Sequence, residues 1–108
     1  MISISQKVYD GKVFFSFTSD NAEEFDDYLC KILDYLGKEY DKRIRENEKI
    51  AKENDYSIRR KKPIKQMYDT SYFSIAPLTF DRSKKSALFV FSEKQYNEIN
   101  LPEYKKEK

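Results

Sequence analysis

The amino-acid sequence predicts a two-layer α+β fold with antiparallel strands and the element order β-β-α-β-β-α, in which one long central helix packs on the sheet. First, residues 20–54 lack proline and repeat apolar side chains at steps of three and four, which is typical of a helix. Second, an alternating stretch before them contains the turn pair Asp10-Gly11, which indicates a hairpin. Third, two strand-like stretches and a short helical one follow. We assign residues 1–102 to one domain and 103–108 to a flexible charged tail.

The composition indicates a folded intracellular chain. Hydrophobic residues make up 39% of the 108 positions and include nine Tyr and eight Phe, which is enough for a single modest core. Charged residues make up 37%, and their signs nearly cancel to a net charge of +2. The lone cysteine, Cys30, excludes an internal disulfide, and no apolar run is long enough to span a membrane. We expect a cytoplasmic protein with no membrane partner, and a buried Cys30 on the helix.

The first two strands form a hairpin whose register follows from its turn. If Asp10 and Gly11 are the two turn residues, the apolar side chains of both strands fall on one face. The opposed pairs are then Val8 with Val13, Gln6 with Phe15, and Ile4 with Phe17. We expect this face, including Ile4, to pack on the central helix.

The central helix has a defined start and a dense apolar stripe in its first half. Asp20 and Asn21 are both candidate N-caps, because Glu23 and Glu24 stand three residues after them and complete a capping box in either register. The residues of the stripe that we expect to meet the hairpin are Phe25, Leu29, Ile32 and Leu36.

The second half of the helix is more polar and raises the question of its shape. Acid-before-base pairs at i,i+4 run along the helix and support a solvated face. They are Asp27 and Lys31, Asp34 and Lys38, Glu39 and Arg43, Asp41 and Arg45, and Glu48 and Lys52. Either the helix breaks near Gly37 or its far half projects from the domain. We favour projection, because a glycine costs a helix only about 1 kcal/mol and the charge pattern continues through it.

The remaining elements follow from shorter patterns. Residues 70–75 and 86–92 are predicted to be strands joined through Pro77 and a polar loop over residues 81–85. Residues 88–91 are apolar on both faces, which indicates an inner strand that is covered on both sides or meets a partner. Ser92 is the expected cap of a last helix that ends near Asn100.

The sequence argues against an enzyme. With no histidine and one cysteine, the chain lacks His-based acid-base chemistry and the ligands of a structural zinc site. Its acidic pairs lie in a charge-rich helix that explains them, and its two glycines cannot form a phosphate-binding glycine loop. We therefore expect no catalytic residue, no metal and no cofactor.

A basic arm after the central helix is the one feature of the sequence that indicates a specific function. Its cations are Arg59, Arg60, Lys61, Lys62 and Lys65, and Tyr68 and Tyr72 follow them. Cations with nearby aromatic rings suit phosphate contacts and base stacking, so we predict a small nucleic-acid-binding accessory or regulatory protein. Such a cluster can also serve as a localisation signal.

A simpler interpretation of the arm is a solvated loop that folds back onto the acidic start of the helix. Residues 1–36 carry three basic and seven acidic side chains, a net of −4, whereas residues 37–108 carry eighteen and twelve, a net of +6. The counter-charge for this interpretation is therefore present in the chain.

The alternative function is a protein-binding inhibitor or adaptor. Its surface would be the sparse helix stripe of Tyr40, Ile44 and Ala51, or the apolar strand over residues 88–91, and the same stripe could form a homodimer. The lysine and tyrosine content resembles that of small proteins from phages and other mobile elements. Salt dependence separates the two functions, because phosphate binding weakens steeply as salt rises.

Overall fold

The computed structural model of the protein describes residues 1–104 and confirms the α+β fold with the predicted element order. The elements are β1 (Ile2–Tyr9), β2 (Lys12–Ser19), α1 (Ala22–Arg59), β3 (Thr79–Asp81), β4 (Ser86–Ser92) and α2 (Glu93–Glu98). The strands form one four-stranded sheet in the order β1-β2-β4-β3, and every neighbouring pair is antiparallel.

The hairpin has the predicted turn and the predicted register. Asp10 and Gly11 have φ angles of 52° and 72°, and two successive positive φ angles define the type I′ turn that suits the twist of a hairpin. Val8 lies opposite Val13 and Gln6 lies opposite Phe15, with no residue inserted in either strand. The two-residue turn therefore sets the register of the hairpin.

The core lies between one face of the sheet and α1. Alternate residues of the two inner strands point into it, and their register sets Phe17 opposite the small Ala87, which leaves room for helix side chains. The ring of Phe17 meets Phe25 at 5.5 Å and Tyr28 at 4.7 Å between centroids. The remaining buried members are Phe15, Leu29, Ile32, Leu36, Phe73, Phe89, Phe91 and Ile99.

The prediction that Ile4 packs on the helix is wrong. Ile4 has the predicted cross-strand partner, Phe17, but it is 52% exposed, and Val8 in the same strand is 59% exposed. β1 is an edge strand, and the buried positions lie on β2 and β4, the two inner strands of the sheet. The predicted apolar face of the hairpin is therefore correct, but the half of that face formed by β1 is exposed and does not pack on the helix.

Helix α1 runs unbroken through Gly37 for 38 residues, so it projects as predicted. Its expected length is about 57 Å, and the longest dimension of the molecule is 59 Å. Asn21 is the N-cap, and its side chain accepts a hydrogen bond from the Glu24 N–H at 2.9 Å. Cys30 is exposed and not buried as predicted.

Three of the five predicted ion pairs along α1 form. Asp27 reaches Lys31 at 3.8 Å, Asp34 reaches Lys38 at 3.0 Å and Glu39 reaches Arg43 at 3.1 Å. The first two pairs are largely exposed and contribute little to stability, whereas Arg43 is buried.

The predicted strand over residues 70–75 is absent, and the third strand is instead Thr79–Asp81. The backbone N–H and C=O of Ser74 bind the side-chain amide of Gln95, both at 2.8 Å, so they are not available to a neighbouring strand. A turn bond from the Phe73 N–H to the Thr70 carbonyl, 3.1 Å long, precedes this contact. The side-chain amide of Gln95 therefore replaces the sheet hydrogen bonds that the sequence pattern suggested at Ser74.

The last helix and the segment after it close the core. Ser92 caps α2 as predicted, accepting from the Gln95 N–H at 3.0 Å. The Tyr28 hydroxyl donates to the Pro102 carbonyl at 2.9 Å, and the Tyr104 ring packs edge-on against Tyr28 at 5.8 Å. The rest of the predicted tail, residues 105–108, lies outside the described residues. Within residues 1–104, no helix is both long enough and apolar enough to cross a membrane.

Candidate nucleic-acid interface

The sequence predicted that the helix ends near residue 54 and that the basic arm follows it, but α1 continues to Arg59, so the arm begins on the helix itself. Arg59 is the last residue of the helix, and the chain then turns back, so that residues 63–78 return along the helix toward the sheet. We call residues 63–78 the return segment. We call the exposed cations at the turn the basic tip, which comprises Arg59, Arg60, Lys61, Lys62 and Lys65.

A defined hydrogen-bond pattern fixes the turn at the basic tip. The Lys62 N–H donates to the Ser57 carbonyl at 2.8 Å and the Lys61 N–H donates to the Ile58 carbonyl at 3.2 Å, which is the Schellman arrangement of a helix end. Lys61 has a φ angle of 53°, in the left-handed region that glycine usually occupies at this position. A lysine therefore stands where the backbone favours glycine, which adds a charge to the turn at a conformational cost of about 1 kcal/mol.

The cations of the tip differ in their partners. Arg59 pairs with Asp55 at 3.3 Å, and Lys65 pairs with Glu53 at 3.1 Å. Arg60 lies over the Tyr56 ring, 5.4 Å from its centroid. Within residues 1–104, no carboxylate comes within ion-pair distance of Arg60, Lys61 or Lys62.

The basic tip does not fold back onto the acidic start of α1. Because the helix is continuous, Glu24 and Arg59 are separated by 35 residues, which corresponds to about 53 Å along the axis. This distance is several times the Debye length of about 8 Å at physiological salt, so the two ends do not neutralise each other. The acidic start of α1 therefore does not supply the counter-charge that the simpler interpretation of the basic arm requires.

Two asparagines of α1 hold the return segment. The side-chain amide of Asn54 binds both backbone groups of Lys65, each at 2.8 Å. Asn47 binds both backbone groups of Tyr68 in the same way, at 2.8 and 2.7 Å. Both contacts are made to the backbone alone, so they do not depend on the side chains of the return segment.

The spacing of these two contacts matches the geometry of the elements that they join. Seven helical residues from Asn47 to Asn54 advance about 10.5 Å, and three extended residues from Lys65 to Tyr68 advance about 10 Å. Residues 65–68 of the return segment are therefore extended and antiparallel to α1.

Removing one asparagine should open the return segment locally. For Asn54→Leu we expect exchange of the Lys65 amide hydrogen to accelerate about tenfold, which corresponds to about 1.4 kcal/mol for the two lost hydrogen bonds. Lys52→Leu, on the exposed side of the same helical turn, is the matched control and should leave that rate unchanged. Equal Lys65 exchange rates in Asn54→Leu and the unmodified chain would show that the segment does not depend on this contact.

The two predicted stacking tyrosines do not lie at the basic tip. Tyr68 lies beside Asn47 and Arg43, about 18 Å from Arg59 along the helix. Tyr72 is nearer to the sheet, where its hydroxyl donates to Glu98 at 3.0 Å and its ring packs edge-on against Phe73. The structure therefore separates both rings from the turn that carries Arg60 to Lys62.

Tyr72 belongs to an ion-pair cluster around Arg43. The guanidinium of Arg43 donates to Glu39 and to Glu98, both at 3.1 Å, and lies 4.7 Å from the Phe73 ring centroid. Burial opposes ionisation of Glu98, yet the hydrogen bonds from Arg43 and Tyr72 hold the pKa of this carboxyl below its usual value. The cluster joins α1, α2 and the return segment, which explains the position of Tyr72 by packing.

The structure places other large apolar side chains near the tip. Each is between 54% and 66% exposed, and they are Tyr56, Ile58 and Ile64. Tyr56 is the aromatic residue that meets a tip cation, and it was not one of the two predicted stacking residues. Its spacing of four residues before Arg60 on a helix was the available signal.

The predicted partner surface is only partly exposed, because some of its residues pack inside the fold. Tyr40 packs on Phe73, with ring centroids 6.0 Å apart, and Ile44 is half-buried. Ala51 is exposed. In the strand over residues 88–91, Phe89 and Phe91 are buried in the core, and their neighbours are half-buried on the outer face.

Among residues 1–104, no group of three or more His, Cys, Asp or Glu side chains is placed to hold a metal ion. Comparisons of the chain with protein-family models, curated proteins and solved structures gave no match.

Proposed function

We propose that the chain is a small nucleic-acid-binding protein of the accessory or regulatory type, which contacts backbone phosphates through its basic tip. The observation that carries the proposal is the position of Arg60, Lys61 and Lys62 at the far end of a projecting helix, with no carboxylate partner among residues 1–104. We further propose that it acts by binding without catalysis, and in the cytoplasm, where a lone thiol stays reduced.

The shape of the tip supports contact with a phosphate backbone. The turn is narrow because it consists of one helix end and one extended segment, so its cations can approach a groove or a single strand without obstruction by the domain. Arg60 is held over Tyr56, and a ring that is 54% exposed offers a face for a base. Phosphate contacts of this kind do not depend on base sequence.

Binding of labelled duplex and single-stranded oligonucleotides at 50 mM salt tests the proposal. We expect Arg60→Gln/Lys62→Gln to weaken affinity by about ten- to a hundredfold across sequences, because two phosphate contacts are lost. Lys12→Gln/Lys42→Gln is the matched control, since it removes the same charge from exposed positions far from the tip. An absence of binding by the unmodified chain, or an equal loss in the control, would refute the proposal.

A second candidate function is a protein-binding inhibitor or adaptor. The observation that favours it is the group of exposed apolar side chains around the tip, which includes Ile58 and Ile64. Such an interface would be weakened by Ile58→Ser/Ile64→Ser and would depend little on salt. A partner lost in this variant but kept in Arg60→Gln/Lys62→Gln would favour this function over nucleic-acid binding.

A further inference from the structure

The outer edge of β1 is a long strand edge with little protection. β1 is the outermost strand of the sheet, has eight residues, contains no proline and pairs with β2 without a bulge. Its one charged side chain is Lys7. Natural sheets normally shorten, bend or charge such an edge, because its unpaired backbone groups attract another strand.

The hairpin geometry shows which backbone groups are unpaired. In a type I′ turn the carbonyl of the first residue accepts from the N–H of the fourth, so Tyr9 and Lys12 form a hydrogen-bonded pair. Bonded and non-bonded pairs then alternate along the strands. The N–H and C=O groups of Ile4, Gln6 and Val8 therefore point away from β2 toward the open edge.

We propose that a second copy of this chain pairs with that edge, with the two β1 strands antiparallel and Gln6 on the twofold axis. Ile4 of each copy then lies opposite Val8 of the partner subunit, and the two sheets join into one. Each of the three facing pairs exchanges two bonds, which gives about six backbone hydrogen bonds. The proposal concerns the opposite end of the molecule from the basic tip and does not rest on the proposed function.

The pattern of side chains favours a second copy over an unrelated strand. Ile4 and Val8 stand at equal distances on either side of Gln6, so a twofold axis through Gln6 matches apolar with apolar in both pairs. The same register sets Lys7 opposite Ser5 of the partner subunit, so the two Lys7 side chains of the dimer do not face each other. Moving the axis to Ser5 would set Ile4 opposite Gln6 and lose this match.

The exposure of the two apolar residues supports the same conclusion. Ile4 and Val8 are 52% and 59% exposed, and both point to the side of the sheet that carries the helices. In the proposed register, even-numbered residues of one copy face even-numbered residues of the other. Because alternate residues of a strand point to the same side, the helix-bearing sides of the two sheets lie on the same side of the joined sheet. Pairing therefore covers all four side chains along a continuous sheet face.

The molar mass in solution and its response to charge test the proposal. At about 100 μM, sedimentation should give twice the chain mass of 13.0 kDa. Ile4→Glu/Val8→Glu and Ile4→Lys/Val8→Lys should each be monomeric, with dimer affinity weakened at least about tenfold, because like charges then face each other in both pairs. An equimolar mixture of the two variants should form the dimer again, because every facing pair then carries opposite charges.

Cross-linking tests the register itself. In a Cys30→Ser background, Gln6→Cys should form an intermolecular disulfide on oxidation, since facing Cα atoms lie about 5.5 Å apart. Ser5→Cys, one residue away, is the control and should not, because it faces Lys7 of the partner subunit. A monomeric unmodified chain, a dimer that survives Ile4→Glu/Val8→Glu, or cross-linking at Ser5→Cys alone would overturn the proposal.

Discussion

Replacing Phe17 by alanine is expected to lower the free energy of unfolding by about 3–5 kcal/mol, the largest single effect that the structure implies. Phe17 is 1% exposed and touches both Phe25 and Tyr28, so its removal leaves a cavity between the sheet and α1. Ala87, its neighbour on β4, is too small to fill that space. A denaturant titration of the purified chain measures the change.

Phe80→Ala is the matched control for this change. Phe80 lies on β3 and pairs with Ala87, whose other cross-strand neighbour is Phe17, but Phe80 is 54% exposed. We expect it to lower the free energy of unfolding by about 1 kcal/mol or less, because less apolar surface returns to water. Similar losses for the two variants would mean that Phe17 does not lie at the centre of the core.

The second large effect is expected for Gln95→Leu, at about 2–4 kcal/mol. Gln95 is fully buried, and its amide satisfies both backbone groups of Ser74. Leucine has a similar size but leaves one donor and one acceptor without partners, and each costs about 1–3 kcal/mol when shielded from water. Denaturant titration again gives the value.

Asn97→Leu serves as the control for Gln95→Leu, because it makes a comparable change on the exposed side of α2. We expect its effect to stay within about 0.5 kcal/mol. If Gln95→Leu were equally mild, the contact between α2 and the return segment would not hold the fold together.

Local rules account for the parts of the fold that the sequence predicted correctly. The turn at Asp10-Gly11 determines the hairpin register, and the caps Asn21 and Ser92 determine where the two helices begin. The continuity of α1 through Gly37 also follows, since one glycine is a small penalty in a long helix.

The errors arose where distant residues decide the outcome. Residues 70–75 have a strand-like pattern, but Gln95, about twenty positions later, binds the backbone of Ser74 and replaces a neighbouring strand. Ile4 has the alternation of a buried residue, but only the strand order shows that it lies on an edge. Neither fact can be obtained from the local pattern of apolar residues.

The candidate interface was predictable to a similar degree. The five cations fall within seven consecutive positions, so their cluster was evident in the sequence. The position of Tyr72 depends on its contact with Glu98 in α2, which no spacing in the arm reveals. Asn47 and Asn54 gave a weak signal, because polar residues seven apart lie on one face of a helix.

The dependence of affinity on salt tests the central claim, that the basic tip binds phosphates, most directly. If the three tip cations without carboxylate partners each neutralise one phosphate of a duplex, the slope of log affinity against log salt should be about −2.7, and it approaches −4.5 if Arg59 and Lys65 also take part. In Arg60→Gln/Lys62→Gln the slope should become shallower by about 1.8. A slope near zero for the unmodified chain, or the same slope in both proteins, would contradict the account.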